Sequence, residues 1–164
     1  KDKMPDIEIT IGAARRIVEI EEPRGFDYYY FVEKNKANAK LLASSTKDVF
    51  PNKEITIRED DCNLKLAELS KFLLSPKGRN FRVLAYIDPY GMQLEWKSIK
   101  NLSKTKIDIW ILVPTGMGVN RLLKKNGDIS EIWLKRLELF LGMDSSTIKS
   151  LFYKTELVLH YFAY

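Results

Sequence analysis

The sequence predicts an α/β fold in which a mostly parallel sheet is covered by helices on both faces. Two observations support this prediction. Hydrophobic residues recur at the period of a strand in some segments and at the period of a helix in others. These segments alternate along the chain, as in βαβ units with right-handed crossovers. With 164 residues, of which 45% are hydrophobic, we expect a single domain over residues 1–164 with one core.

Four segments are predicted strands, because they are rich in aromatic and β-branched residues. They are residues 28–32, 54–58, 82–87 and 107–112. The last two are almost continuously apolar, which favours burial on both faces of the sheet. We therefore expect Trp110, in the fourth strand, and Trp133 to be core residues. Residues 157–163 are a weaker candidate for a fifth strand.

The helical segments are defined by apolar spacing and by capping residues. Ile11, Ala14, Ile17 and Val18 recur at helical intervals before Pro23 and Gly25. Asn35 and Ser130 are predicted N-caps and Gly142 a C-terminal cap. Further helices are predicted at 35–44, 61–74, 96–104 (with Lys97, Lys100 and Lys104 on one face), 119–125, 130–141 and 145–153.

Composition excludes several kinds of site. Cys62 is the only cysteine and His160 the only histidine. One cysteine cannot form an internal disulfide, and these two residues cannot hold zinc or an iron–sulfur cluster unaided. We therefore expect no metal site.

The chain has no segment that resembles a membrane span or a signal peptide. No stretch approaches the roughly 18 apolar residues of a transmembrane helix, and residues 1–5 are polar. We expect a cytoplasmic protein without a membrane partner. The net charge of +5 only slightly favours a polyanionic partner such as nucleic acid.

Acidic residues follow three successive predicted strands, at the edge where α/β sheets bind ligands. Glu33 follows the first strand, Asp61 and Cys62 the second, and Asp88 the third. Glu33 in that position can accept hydrogen bonds from both hydroxyls of a ribose, and Asp61 from an adenine amino group. Cys62 can supply a backbone amide for a ring nitrogen. Helix capping is the alternative explanation of these acids.

The segment Asp88-Pro89-Tyr90-Gly91 has a distinct chemistry. Pro89 fixes its own φ and restrains Asp88 to an extended conformation. Tyr90 offers a flat face for stacking on a base, and Gly91 allows a ligand to approach the backbone. Together they suit the recognition of a planar ring.

These motifs resemble two related groups of proteins. The successive acidic motifs at 31–35, 60–63 and 87–91 are similar to those of class I S-adenosylmethionine-dependent methyltransferases. Ile87 to Gly91, Glu95-Trp96, Thr105 to Trp110 and Gly118 to Leu123 more closely resemble the three-Cys-motif partner protein (TcmP) family. The resemblance implies a Rossmann-like fold, S-adenosylmethionine as cofactor, and a partner with a three-Cys motif encoded nearby.

The Asp-Pro-Tyr-Gly segment is also similar to the catalytic motif of enzymes that methylate exocyclic amines, including guanine-N2 tRNA methyltransferases. That similarity implies that Asp88, Pro89, Tyr90 and Gly91 form the reaction centre, with Tyr90 in the place of the second proline of the commoner motif. Other candidate substrate residues are Trp96, which could instead cap its helix, and Arg121.

The resemblance fails before Glu33. Family members begin with a strand and an acidic, Gly-rich loop that cradles the methionine part of the cofactor, whereas Gly12 stands without partner glycines. We therefore expect that the first strand is missing, that the chain is a fragment of a longer protein, and that it binds S-adenosylmethionine weakly or not at all.

Three functions remain open. The first is methyl transfer to an exocyclic amine of a nucleic-acid base. The second is a non-catalytic, methyltransferase-like partner of a three-Cys-motif protein. The third is another nucleotide-binding enzyme of similar fold.

Overall fold

The computed structural model describes residues 6–89, 92–112 and 129–151. By its internal contacts the chain divides into two compact units, Lys1–Lys65 and Leu66–Tyr164. We call them the amino-terminal unit and the carboxyl-terminal unit and describe each by itself. The expectation of one domain over residues 1–164 stays a prediction.

The amino-terminal unit contains a βαβ unit preceded by a helix. Helix α1 spans Asp6–Glu19, β1 spans Tyr29–Val32, α2 spans Lys36–Ser45 and β2 spans Ile55–Arg58. The strands pair in parallel, from Tyr29 opposite Ile55 to Val32 opposite Arg58. Helix α3, Cys62–Leu74, begins directly after this strand pair. The predicted strands at 28–32 and 54–58 are confirmed within one residue.

A small core holds α1 against the strands of this unit. Val18, Tyr29 and Ile55 are buried together. The ammonium of Lys53 lies 5.7 Å from the centre of the Tyr29 ring and 5.6 Å from that of Phe50, which is cation–π geometry. Lys53 also donates a hydrogen bond to the Val18 carbonyl. The end of α1 is thereby fixed to the start of the strand pair.

Helix α2 begins at the predicted N-cap. The Asn35 side-chain oxygen accepts hydrogen bonds from the backbone amides of Ala37 (2.9 Å) and Asn38 (3.1 Å). These donors would otherwise lack a partner in the first helical turn. The cap therefore fixes where the chain turns after β1.

The carboxyl-terminal unit contains a second parallel strand pair. Its described elements are β3 (Val83–Ile87), α4 (Trp96–Lys100), β4 (Ile107–Ile111), α5 (Glu131–Leu141) and a helical segment over residues 145–151. Val83 lies opposite Ile107 and Ile87 opposite Ile111. The predicted strands at 82–87 and 107–112 are confirmed within one residue. With two parallel pairs separated by helices, the described chain is a mixed α/β structure, as predicted.

Helix α4 is shorter than predicted. Turns replace it after Lys100, with the amide of Leu102 bonded to the Ile99 carbonyl (2.9 Å) and that of Thr105 to the Leu102 carbonyl (3.0 Å). Such i to i+3 bonds end the α-helical ladder. Lys104 therefore lies outside the helix, and the predicted single face of Lys97, Lys100 and Lys104 is wrong.

The β3–β4 pair is buried on one face only. Along both strands half-buried residues alternate with exposed ones. Trp110 lies on the exposed side with 66% of its surface accessible, and Trp133 of α5 is 40% accessible. The prediction that both tryptophans are core residues is wrong, and the face of this strand pair that carries Trp110 is exposed. The physical reason is the period of 2 in β4, which places Trp110 on the same side as the charged Asp108.

Helix α5 begins and ends close to the predicted residues, and the segment 145–151 begins at the predicted residue. Ser130 is the N-cap of α5, without a side-chain capping bond, and Gly142 ends the helix with φ of 66°. Only glycine adopts that left-handed conformation without strain. Asp144 accepts hydrogen bonds at the start of the segment 145–151, from the Thr147 amide among others. These bonds, with that of the Ser146 hydroxyl the largest cause, lower the pKa of Asp144 to about 2. The predicted helix at 119–125 and strand at 157–163 lie outside the described residues.

Candidate functional site

Glu33 and Asp61 lie at the same edge of the amino-terminal strand pair. Glu33 follows β1 directly, and its backbone amide donates to the Arg58 carbonyl at the end of β2 (2.9 Å). Asp61 is three residues beyond the end of β2, immediately before α3. The parallel pairing therefore brings together the two acids that the sequence predicts for adenosine.

The Glu33 carboxylate is only partly used within the protein. Its Oε1 accepts a hydrogen bond from the Asn35 backbone amide (2.7 Å). Its Oε2 makes no hydrogen bond with any residue that the structure describes. Glu33 thus supports the start of α2 and retains one carboxylate oxygen for a ligand.

Asp61 differs, because described residues occupy both of its oxygens. Oδ1 accepts from the Asn63 amide (2.9 Å), and Oδ2 contacts the Lys34 ammonium at 3.0 Å. The hydrogen bond from Lys34 is the main reason that the pKa of Asp61 is lowered. A ligand amine that approached Asp61 would compete with the Lys34 ammonium.

The residues next to Asp61 in the chain also have interactions within the protein. Asp60 accepts from the Asp61 amide (2.8 Å) and pairs with the Lys65 ammonium at 3.0 Å. The Lys65 hydrogen bond is the largest cause of the lowered pKa of Asp60. Cys62 is half-buried, and burial, followed by the negative charge of Asp61, raises the pKa of its thiol. A thiol with a raised pKa stays protonated at neutral pH and is a poor nucleophile.

Asp88 occupies the corresponding strand end in the carboxyl-terminal unit. It is exposed and follows β3, whose ladder continues to a hydrogen bond from the Leu112 amide to the Ile87 carbonyl (2.9 Å). The Asp88 carboxylate forms neither a hydrogen bond nor an ion pair with the described part of the chain. Helix capping by a described amide therefore does not explain Asp88. Pro89 is half-buried, and the predicted site residues Tyr90 and Gly91 lie outside the described residues.

Trp96, a predicted substrate residue, is the first residue of α4 and packs against the end of α5. A Cβ atom added to Gly142 would lie 2.2 Å from Cδ1 of Trp96, so the indole rests on the Gly142 backbone. The remaining 47% of the Trp96 surface is exposed. The N-cap of α4 is Glu95, so the alternative that Trp96 caps its helix is wrong; the exposed part of the indole remains accessible. Arg121, the other predicted substrate residue, lies outside the described residues.

Two ion pairs near the predicted site residues are absent from the sequence-based expectations. Lys34 pairs with Asp61 across 27 positions of the chain, and Lys97 pairs with Glu95 at 2.7 Å. The only sequence signal for the first is that Lys34 directly follows the strand-end Glu33. A residue in that position points across the edge of the sheet toward the next strand end.

Comparisons with known proteins do not place the chain in a family, so its function has to be argued from its own residues. No protein-family model matches the chain, and neither the curated proteins nor the solved structures contain a significant match. Among the described residues, no group of three or more His, Cys, Asp and Glu is arranged to hold a metal ion. Within the same residues, no helix combines the length and apolarity needed to cross a bilayer.

Proposed function

We propose that the protein is a methyltransferase-like domain that methylates an exocyclic amine of a nucleic-acid base with S-adenosylmethionine. The observation that carries the proposal concerns Glu33, at the carboxyl end of β1 and on the same edge as Asp61. Only one of its two carboxylate oxygens accepts a hydrogen bond from a described residue. Ligands of α/β sheets bind at that edge. The motif resemblance of the strand-end acids to class I methyltransferases supplies the choice of cofactor.

The fold part of the proposal is a Rossmann-like fold. In support, each pair is a βαβ unit, β1–α2–β2 and β3–α4–β4. Two successive units of this kind are the building blocks of doubly wound sheets.

Glu33 is the described residue that best fits the adenosine half of the cofactor. Its Oε2 is available to ribose hydroxyls, while Oε1 stays on the Asn35 amide and fixes the carboxylate. Asp61 fits an adenine amine only if that amine displaces Lys34 from Oδ2. Cys62, as the first residue of α3, has a backbone amide without an intrahelical acceptor, which suits a ring nitrogen.

The bound cofactor would supply a methyl group activated by a sulfonium. The role proposed for Asp88 is to accept a hydrogen bond from the target amine and so orient the nitrogen lone pair. Its carboxylate has no described partner to displace, and Pro89 limits the conformations of Asp88. Orientation of this kind contributes a large part of the rate when two reactants must align. Tyr90 would stack on the base, and a base in a duplex would have to be flipped out.

A non-catalytic role as partner of a three-Cys-motif protein is the second candidate. The observation that favours it is the Lys34–Asp61 ion pair, which satisfies one of the two acids internally. In a scaffold without a cofactor, Asp61 would keep both this ion pair and its hydrogen bond from the Asn63 amide.

An NMR titration of the 164-residue chain with S-adenosylmethionine tests the cofactor site. We expect weak binding, with a Kd in the millimolar range, and shifts of the backbone amides of Glu33, Lys34 and Asp61. Glu33→Gln should weaken binding several-fold, because a neutral amide accepts ribose hydroxyls less strongly than a carboxylate. Glu59→Gln, an exposed acid at the same strand end, is the matched control and should leave the Kd unchanged. Shifts confined to other amides, or equal effects of both substitutions, would overturn the cofactor assignment.

A further inference from the structure

The two units differ sharply in charge. The amino-terminal unit has 12 Lys and Arg against 13 Asp and Glu, a net charge of −1. The carboxyl-terminal unit has 15 against 9, a net charge of +6. All of the excess positive charge of the chain is therefore carried by residues 66–164, and charge asymmetry of this kind is typical of proteins that bind polyanions.

Much of that charge lies beside the amino ends of β3 and β4. The segments 75–82 and 101–106 lead into these strands and contain no acidic residue. Since the strands are parallel, their amino ends share one edge of the pair. The basic residues of the two segments are all exposed, and none pairs with a described carboxylate; we call them the basic edge: Lys77, Arg79, Arg82, Lys104 and Lys106.

The exposed face of β3–β4 begins at this edge and carries two aromatic residues side by side. Tyr86 and Trp110 are partners in the strand register, which places their backbones about 5 Å apart. They are 44% and 66% exposed. Leu84 and Asp108, also partners and also exposed, lie between them and the basic edge. We call Tyr86 and Trp110 the aromatic pair.

We propose that the basic edge and the aromatic pair bind single-stranded nucleic acid, with phosphates at the edge and unpaired bases stacked on Tyr86 and Trp110. Proteins bind single strands by stacking the bases on exposed aromatic side chains and by pairing the phosphates with nearby lysines and arginines. This face has both kinds of residue. The inference deepens the proposed function by naming single-stranded nucleic acid as the source of the base. It rests on the proposed function for the idea that this base accepts the methyl group. It requires neither the cofactor nor methyl transfer.

A nucleic acid explains this surface better than a protein partner does. An apolar partner surface would cover Tyr86, Trp110 and Leu84 but would leave five unpaired cations at the rim. A polyanion uses both features, since the phosphates neutralise the cations and release counterions. Two exposed acids lie on this side, Asp108 on the face and Asp88 at the end of β3, and the five cations of the basic edge outnumber them.

The surface also leads toward the candidate reaction centre. Tyr86 precedes Asp88 by two residues, so they share a side of the strand and lie about 7 Å apart along it. Arg82 precedes Tyr86 by four residues, or about 13 Å. A strand laid from the basic edge across the aromatic pair would therefore reach the carboxyl end of β3.

Fluorescence anisotropy of the 164-residue chain with a labelled oligouridine of about 15 nucleotides tests the proposal. We expect saturable binding that weakens steeply with salt. Tyr86→Ala should weaken binding about tenfold or more, because stacking on one aromatic side chain is removed. Tyr30→Ala is the matched control, since Tyr30 is a similarly exposed strand residue of the amino-terminal unit, and should leave the Kd unchanged.

Two further pairs of variants separate stacking and charge from general effects. Trp110→Phe should retain most of the binding, because an aromatic face remains for stacking, and Trp110→Leu should abolish it, because that face is lost although an apolar side chain remains. Arg82→Gln with Lys106→Gln should reduce the slope of log Kd against log salt by about 1.4, that is, about 0.7 for each phosphate that the variant no longer neutralises. Lys71→Gln with Lys149→Gln, two exposed helical lysines of the same unit, should not change that slope.

The proposal is overturned by any of three results. One is the absence of oligonucleotide binding at low salt by the folded chain. Another is an equal reduction of binding in Tyr86→Ala and Tyr30→Ala. The third is a concentration-dependent dimer that Tyr86→Ala and Trp110→Leu abolish, which would identify the face as a protein interface. Because no cofactor enters this assay, its failure and that of the cofactor titration are distinguishable.

Discussion

The ends of the two parallel strand pairs carry similar residues but differ in how those residues are used. At the end of β1–β2, Asp61 and Asp60 each accept from a backbone amide and from a lysine, and Glu33 accepts from Asn35. At the end of β3, Asp88 is exposed and has no partner among the described residues. Aspartates at the carboxyl ends of parallel strands therefore have protein partners in one unit, whereas in the other unit Asp88 has none among the described residues.

This difference shows that position at a strand end does not by itself define a binding residue. The side-chain oxygens that the protein leaves unused are the better guide. By that criterion Glu33, through Oε2, and Asp88 are candidates for ligand contacts, whereas Asp60 contributes to local structure. The comparison predicts that substitutions in the amino-terminal strand ends cost stability and that substitution of Asp88 does not.

The largest stability effect is expected at neither strand end but at Gly142. Gly142→Ala places a Cβ atom 2.2 Å from Trp96 Cδ1 at a φ of 66°, so it combines backbone strain with overpacking. We expect a decrease of about 2–4 kcal/mol in the free energy of unfolding, measured by urea denaturation. Gly12→Ala is the control, because nothing lies within 4 Å of the added Cβ. In a helix interior it should be neutral or stabilise by up to about 1 kcal/mol. A tolerated Gly142→Ala would show that the contact between α4 and α5 does not hold the carboxyl-terminal unit.

The helix cap after β1 is expected to have the next largest effect. Asn35→Ala removes an oxygen that accepts from two backbone amides and should cost about 1 kcal/mol. Ser130→Ala is a matched control at a cap without a side-chain capping bond and should cost much less. Equal destabilisation of the two variants, by the same urea measurement, would contradict the view that the strand end of β1 is held by local hydrogen bonds.

A smaller effect is expected from the Lys34–Asp61 pair, and it should depend on pH. The folded state lowers the pKa of Asp61 below its ordinary value of 3.8, so the pair stabilises the fold above that pH. The contribution disappears as the pH falls through the lowered pKa. Because Lys34 is largely exposed, we expect Asp61→Asn to cost less than about 1 kcal/mol at pH 7.

The free energy of unfolding of the Asp61→Asn variant should be compared with that of the unsubstituted chain, both at neutral pH and at a pH well below 3.8. The difference between them should shrink at the lower pH, because Asn retains the cap to Asn63 and only the charge is removed. Asp27→Asn provides a control, since Asp27 forms a longer contact with Arg24 (3.7 Å) in which both side chains are exposed. If the difference in the free energy of unfolding grew on acidification, the Lys34–Asp61 pair would not be its cause.

Local chemistry accounts for the parts of the fold that were predictable. The four strands follow from runs of β-branched and aromatic residues, Asn35 from its preference for N-caps, and Gly142 from the conformation that ends α5. These properties act over a few residues and can be inferred without knowing what packs where.

The incorrect predictions concern packing between distant segments. The apolar character of the fourth strand predicts a buried Trp110, although Asp108, two residues earlier, shares its face. The alternation of Ile107, Ile109 and Ile111 with these two residues is a signal for a strand with one open face. The Lys34–Asp61 ion pair and the seating of Trp96 on Gly142 depend on tertiary geometry, so no local pattern indicates them.

The most direct test of the account is Asp88→Ala in the protein as its gene encodes it, with two readouts on the same preparation. One is the melting temperature; the other is transfer of a labelled methyl group from S-adenosylmethionine to RNA and single-stranded DNA. We predict an unchanged melting temperature and abolished methyl transfer, because the Asp88 carboxylate has no described protein partner to stabilise but is the proposed acceptor for the target amine. A destabilised variant that still transfers methyl groups would contradict both the contrast between the strand ends and the assignment of Asp88 to the reaction centre.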